Sequence, residues 1–512
     1  MSPVLLFLVT LLVSLLVVRG LRLYARTVWR WHTLSKNIPG PPAFPIIGAA
    51  LTVAKHPDKL FRQMQWLWTT YGSTIRLWLG PYLYVILTEP DDVEVFCTSA
   101  ALADKPHQYA SMLAPVLGRG LITINNPQHR AHRKVISTSM HLDILKGFVN
   151  VFGCRSQELV GKLRRHAERG EVFNMSPYLG FCVNHSLCET VLSTDMAGVE
   201  KDRDELIRVA DQASWIMFFR LFRPWYWSNR LFALLSSRYK VYASVVHGMQ
   251  SFVHKVFNIK MELIRKGVRP EAKRLAFLDH VLASDARTVL TEEEIKEELR
   301  TLIWAGSTTT TDSLGFFFIA MSMLPDVQSK IHEELDSVFG EDRTRPVDFD
   351  DLPHLQYLER CIKEGLRMFP PVCCFARAVS EDVTLPSGHV LPKDTVAVTV
   401  PYAVHRDQKW FPDPEKFDPD RFLPENCTGR HPFTYIPFSA GSRNCVGQRY
   451  AMMSMKAMTA SVLRHFTVLP DPDGPTGLHD IPITIGLSMV PTHGARVLLV
   501  PRRTTTDRTA GA

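Results

Sequence analysis

Near the C-terminal end, the run Pro437-Phe438-Ser439-Ala440-Gly441-Ser442-Arg443-Asn444-Cys445-Val446-Gly447 sets one cysteine on a glycine-punctuated loop. Beyond it Met452, Met455, Met458, Val462, Leu463 and Phe466 recur at helical spacing. The thiol is therefore expected at or near a helix N-terminus, where the dipole favours an anion and a thiolate is the natural state. Gly441 and Gly447 permit unusual turns and the close approach of something flat, and Arg443 can donate to a carboxylate beside the sulfur. Taken alone, Cys445 has a plainer reading as a small buried hydrophobe, with the glycines marking turns.

A flat group that carries carboxylates and takes a thiolate ligand has the properties of haem. The run Phe438-x-x-Gly441-x-Arg443-x-Cys445-x-Gly447 resembles the haem-binding signature of the cytochrome P-450 monooxygenases. The resemblance covers nearly the whole chain beyond its first few dozen residues. It implies the cytochrome P-450 fold, haem b as cofactor, Cys445 as the axial thiolate on iron, and Phe438, Gly441, Arg443 and Gly447 around the ring. Ala305-Gly306-Ser307-Thr308-Thr309-Thr310 resembles the family's oxygen-activation motif. Thr309 takes the alcohol position of the proton relay, whereas Thr308 stands where most members carry a carboxylic acid. Ala305 stands where the long-chain-oxidising branch often has a glutamate able to link to haem, so non-covalent haem is expected. His129-Arg130-Ala131-His132-Arg133 resembles the helix start where the family carries Trp-x-x-x-Arg. Arg133 matches as a propionate partner, and His129 replaces the tryptophan while keeping a ring N–H to donate. Arg377 resembles a further propionate partner.

Glu364 and Arg367 share a helix face at i,i+3 spacing, a pair worth little on a surface. Their order before Asp420-Arg421-Phe422 and Cys445 resembles that of a Glu-Arg-Arg lock beneath the haem, which gives Glu364, Arg367 and Arg421 a structural role.

These groups need a scaffold, and the sequence predicts a mainly α, α+β one. A long helix begins at the capping box Thr291-x-x-Glu294 and stops before Pro325, with Gly306 to Thr311 interrupting its apolar periodicity. Another follows Asp351-Leu352-Pro353 and ends before Pro370-Pro371. Thr74 to Leu87 reads as a hairpin around Gly80-Pro81, Val383 to Val400 as short strands, and Ile481 to Val500 as a hairpin broken at Pro491–Gly494. Ala103 to Ile124 reads as a Gly- and Pro-punctuated loop, which by resemblance lines the substrate cavity. Trp215 to Trp227 interleaves aromatics with arginine, a pattern suited to a membrane interface or to packed core, and its resemblance to the family's cavity roof implies a second membrane contact.

The chain has 512 residues, 46% hydrophobic and 21% charged, without linker tracts or repeats, so one large domain is expected. A formal charge of +8 without clustered basic residues favours an anionic membrane surface or an acidic partner over nucleic acid. Nine cysteines without a C-x-x-C pair suggest neither a disulfide framework nor a thiol zinc site, and place the body in a reducing compartment.

Pro3 to Val18 is almost unbroken apolar sequence followed by Arg19, Arg22, Arg26 and Arg30, an anchor whose basic flank leaves the body cytosolic. The expected layout is a membrane anchor at 1–24, a basic and proline-rich linker at 25–50, a catalytic domain at 51–503 and a polar tail at 504–512. The resemblance, closest to the family 4-type branch, implies a monooxygenase of the endoplasmic reticulum membrane. Its substrate would be a lipophilic fatty acid, hormone or xenobiotic. Electrons would pass from NADPH through a flavoprotein reductase that docks near Arg133, Lys134 and Arg449. Two competing readings are a haem-thiolate isomerase or dehydratase acting on a peroxide, and a membrane-anchored haem protein without turnover.

Overall fold

The computed structural model describes residues 3–44, 47–49, 60–192, 212–221, 223–267, 277–283 and 290–502; the 504–512 tail and residues 45, 46 and 50 of the 25–50 linker lie outside them. Helix α1 (Pro3–Ser35) does not stop at the arginines, because no proline intervenes before Pro39. Its apolar portion is long enough to cross a membrane. Its last turns dock on the body: Trp31 is buried and donates from Nε1 to the Lys393 carbonyl at 2.8 Å, and Arg30 pairs with Asp382. The proline-bearing segment continues that contact, since Arg76 N donates to the Pro39 carbonyl at 2.7 Å.

Helix α2 (Leu60–Tyr71) leads to β1 (Thr74–Leu79) and β2 (Tyr82–Leu87), an antiparallel hairpin turning at Gly80 with φ 57°. Helix α3 (Pro90–Thr98) follows. The stretch Ala103–Ile124 is not a plain loop: His107–Leu117 forms helix α4. Gln108, Met112 and Val116, with Leu113 and Leu117, recur every four residues on its buried face. Pro115 falls in the last turn and Gly118, at φ 83°, ends it, so the breakers mark a terminus rather than a loop.

Helices α5 (Gln128–Thr138), α6 (Leu142–Arg169) and α7 (Ser176–Leu187) come next, with the short strand β3 (Phe173–Asn174) before α7. Residues 212–221 are helical, and Ile216 to Arg220 point inward, leaving Trp225 as the exposed ring of that aromatic stretch among the described residues. Packed core accounts for most of it. Phe222 lies outside the described residues.

Helix α8 (Tyr239–Arg265) precedes α9 (Glu292–Met323), which starts on the predicted capping box and crosses the domain with its C-terminal third buried on nearly all sides. The run of small and hydroxylated residues does not interrupt it. Thr308, Thr309 and Thr311 donate to the carbonyls of Trp304, Ala305 and Ser307 at 3.2, 2.7 and 2.9 Å, so each hydroxyl is satisfied one turn back. Helices α10 (Pro325–Phe339), α11 (Gln356–Met368) and α12 (Gln448–His465) complete the helical side.

Strands β4 (Phe375–Ala378) and β7 (Val396–Thr399) join the first hairpin in a sheet ordered β1-β2-β7-β4; β5 (Val383–Thr384) and β6 (Val390–Leu391) pair separately. Strand β8 (Phe466–Pro470) follows α12. Within Ile481–Val500, β9 (Ile483–Ile485) pairs with β10 (Met489–Pro491) across Gly486-Leu487-Ser488. Pro491–Gly494 is therefore not the break within a hairpin. It carries the chain across to β11 (Arg496–Pro501), which lies between β3 and β8 in another sheet.

Candidate functional site

The loop before α12 is closed from within. Cys445 N donates to the Phe438 carbonyl at 2.8 Å, and Asn444 N to that of Gly441 at 3.2 Å. Gly441 has φ 70°, and a Cβ there would sit 2.0 Å from the Cys97 carbonyl oxygen on α3, so only glycine allows this approach. Gly447 is the cap residue of α12, and its backbone N–H bonds the Cys445 sulfur. Burial pushes the Cys445 thiol up all the same, against the Gly447 amide and the Arg133 guanidinium, which favour the thiolate. The Cys445 side chain is nonetheless exposed to the open space beside the loop.

It faces a cavity of about 350 Å³. On the other side stand Ala305, Gly306, Thr308 and Thr309 of α9, and apolar groups such as Leu113, Leu121, Val191 and Phe218 close much of the rest. Nearly every residue expected at the site meets here: His129, Arg133, Arg377, Phe438, Arg443, Cys445 and Gly447 line the same cavity as Thr308 and Thr309. Gly441 stays behind the loop, where its backbone shapes it.

Four basic side chains gather in this one cavity: Arg133, Arg377, Arg443 and Lys105. Arg133 donates to Asn444, to the carbonyl at 2.7 Å and to Oδ1, and so ties α5 to the cysteine loop. Arg443 donates to the carbonyls of Ala103 and Ile124 at 2.7 and 2.8 Å and lies 3.3 Å from Asp104. That leaves one N–H on each terminal nitrogen for an anion in the cavity. Arg377 is 1% exposed, yet its Nε has no partner. A buried guanidinium with an open donor awaits an anion, because leaving it unpaired is costly. Burial lowers the Lys105 amine well below its usual value, with Arg377 and Arg443 adding repulsion. His129 is pushed down to about 3 by burial and by Arg443 and Arg133, so it is a neutral donor. The arrangement fits a flat group with two carboxylates at one edge and a metal that takes sulfur.

Below the loop, Arg367 donates to Glu364 from Nε at 2.7 Å and from a terminal nitrogen at 2.9 Å, with both side chains fully buried. Its other N–H groups reach the carbonyls of His405 and Pro414 at 2.9 and 2.7 Å. Asp418 N donates to Glu364 at 2.8 Å, and Arg421 Nε approaches the same carboxylate at 3.5 Å. Glu364, Arg367 and Arg421 thus come together as expected.

Three contributors carried no usable signal in the sequence. Lys105 sits in a stretch read as loop, and Asn444 occupies a variable position of the motif. His405, fully buried, bridges the Arg367 carbonyl at 3.2 Å and the Ile436 amide at 2.9 Å, linking the lock to the cysteine loop. Of the basic residues expected on a docking face, Lys134 and Arg449 are exposed whereas Arg133 turns inward.

The Cys445 thiol and a ring of basic side chains facing a hydroxyl-lined helix across an apolar cavity define a metal-porphyrin oxygenase site. The chain belongs to the cytochrome P450 family, whose model, described as Cytochrome P450, matches residues 38–495. It is 35% identical to "Cytochrome P450 4c3" of Drosophila melanogaster over 98% of this chain and 95% of that protein. It is 35% identical to "Cytochrome P450 4V2" of Homo sapiens, covering 87% and 86%, and 33% identical to "Cytochrome P450 4d1" of Drosophila melanogaster, covering 88% and 91%. It is a family 4-type monooxygenase with non-covalent haem b.

Proposed function

We propose that Cys445 is the axial ligand of the haem iron, and that Arg133, Arg377, Arg443 and His129 hold the propionates. The observation that carries this is the convergence of the Cys445 thiol, the open Arg377 donor and the hydroxyls of α9 on one cavity. Thiolate-ligated haem supplies activation of O2, placing one oxygen atom in a C–H bond and releasing the other as water with two electrons and two protons. The protein residues have separate tasks. Apolar walls orient a lipophilic substrate and exclude water. The Thr309 hydroxyl, with Thr308 beside it, passes protons by releasing its bond to the Ala305 carbonyl. Glu364, Arg367 and Arg421 hold the loop that carries the sulfur. The substrate is a fatty acid, hormone or foreign compound, and electrons arrive from NADPH through a flavoprotein reductase that meets Lys134 and Arg449. Helix α1 anchors the protein in the endoplasmic reticulum membrane with its body cytosolic, as the arginines after Val18 direct.

The test is the spectrum of the reduced, purified protein under carbon monoxide. A strongly red-shifted Soret band is expected, absent in Cys445→Ala. A band typical of histidine ligation in the parent would refute the assignment. Protease added to intact microsomes should digest the body, and protection without detergent would overturn the orientation.

A further inference from the structure

Beside the Cys445 cavity lies a smaller one of about 70 Å³, walled by Met64 and Leu67 of α2, Leu77 and Leu79 of β1, and Ile86 of β2. Tyr109, Leu221, Cys374 and Phe375 line both cavities, so a single layer of side chains separates them. The Tyr109 ring belongs to α4 and bonds the Ala376 backbone on β4, which makes this layer the seam between the helical side and the sheet. The small chamber is almost wholly carbon-lined, with an exception. Gln63, Tyr84 and Gln108 face it, and among the described residues neither Gln63 Oε1 nor the Tyr84 hydroxyl has a hydrogen-bond partner, although both atoms are buried. Tyr84 is 6% exposed and fixed in the middle of β2, so its hydroxyl cannot swing out to water. An acceptor and a phenol left unpaired in an apolar chamber are costly unless a ligand completes them.

We propose that this chamber is the recognition subsite for the polar head of an elongated apolar substrate, and that the head is an uncharged hydroxyl. Such a group accepts from the Tyr84 phenol and donates to the Gln63 carbonyl, completing both at once. Burial holds the phenol well above its usual range, so it remains a donor. A carboxylate is disfavoured here because no cation lines the chamber: Lys105, Arg133, Arg377 and Arg443 all line its neighbour. With the head beyond Tyr109, the hydrocarbon passes between Leu221 and Phe375 and its far end enters the Cys445 cavity. Which end reacts rests on the proposed role of Cys445; the binding does not.

The haem-loaded, full-length protein is titrated calorimetrically with dodecanol, dodecane and dodecanoate in one detergent. The parent should prefer dodecanol to both of the others. Tyr84→Phe and Gln63→Leu should each weaken dodecanol by about three- to tenfold, the effect of one buried hydrogen bond, and leave dodecane unchanged. An unchanged carbon monoxide spectrum certifies the fold of each variant. Equal binding of dodecanol and dodecane by the parent, as when water alone fills the chamber, overturns the proposal whether or not the variants fold. So does equal weakening of both ligands by the variants, or tightest binding of dodecanoate. Oxidation of dodecanol should fall near its methyl end, and oxidation beside the existing hydroxyl would contradict the orientation. A parent lacking the red-shifted band sinks the ligand assignment instead, and leaves the calorimetry intact.

Discussion

The site has two walls built on opposite terms, α9 lining the cavity above and the buried Glu364–Arg367 pair supporting the Cys445 loop from behind and below. Beneath the sulfur, the Arg367 guanidinium fork is spent on the Glu364 carboxylate and on backbone carbonyls, and Asp418 N completes the carboxylate. Across the cavity, the hydroxyls of Thr308 and Thr309 bond only to their own helix, one turn back, and can be released at small cost. The lower wall is a buried ion pair fully served by its surroundings, which fixes one geometry but tolerates no loss of a partner. The upper wall is polar groups held loosely, suited to moving a proton. On the proposed function, stability resides in the first and chemistry in the second.

Breaking the lower wall should give the largest effect. Arg367→Ala leaves the Glu364 carboxylate buried without its partner, and removing one member of such a pair costs about 3–5 kcal/mol. That is a large share of the roughly 5–15 kcal/mol that holds a typical domain. Denaturant titration of the haem-loaded protein should show it, and Arg367→Lys should rescue little because a single ammonium cannot reproduce the fork. A loss below about 1 kcal/mol would erase the contrast between the walls.

A smaller effect sharpens the same contrast through pH. His405 is neutral in the fold, held down to about 3 by burial and the nearby Arg367, with Nδ1 toward the Arg367 carbonyl and Nε2 accepting from Ile436. In the unfolded chain it would take a proton near its ordinary value of 6.5. Its contribution is therefore complete above that value and declines as pH falls from 6.5 toward 3, by at most about 1.4 kcal/mol per pH unit. Stability measured across that window should fall less steeply in His405→Gln than in the parent. Parallel curves would show that His405 is not held neutral.

The lower wall was legible in the sequence because its members announce themselves: Glu364 and Arg367 by helical spacing, Arg421 by its order before Cys445, and the loop by Gly441 and Gly447. The capping box at Thr291 located α9 to the residue. What stayed hidden was set by tertiary contact. Helix α4 looked like loop because Pro115 and Gly118 are breakers wherever they fall, and only packing shows that they fall at its end. Lys105 enters the cavity because α4 and β4 meet there, which no local pattern encodes. His405 and the Tyr84–Gln63 pair likewise depend on partners far along the chain.

The smallest expected effect tests the upper wall. Thr308 offers a hydroxyl where a carboxylic acid is usual in the family, so the proposed relay through Thr309 has no acid at that position. The Thr309 hydroxyl must first leave the Ala305 carbonyl 2.7 Å away, and slow or poorly ordered transfer lets reduced oxygen escape as peroxide. Thr308→Asp places a carboxyl on the same half-buried turn of α9, lining the cavity as Thr308 does. Product formed per NADPH should rise by about twofold, far below the ~10²-fold of a positioned general acid, because only the partition between product and peroxide changes. Thr309→Ala should lower that ratio and raise peroxide to match. The measurement is product, peroxide and NADPH counted together with a substrate that shifts the haem spectrum on binding. If the parent is already tightly coupled and Thr308→Asp leaves it unchanged, the proton travels by a path other than the looser wall, and the division of labour between the two walls fails.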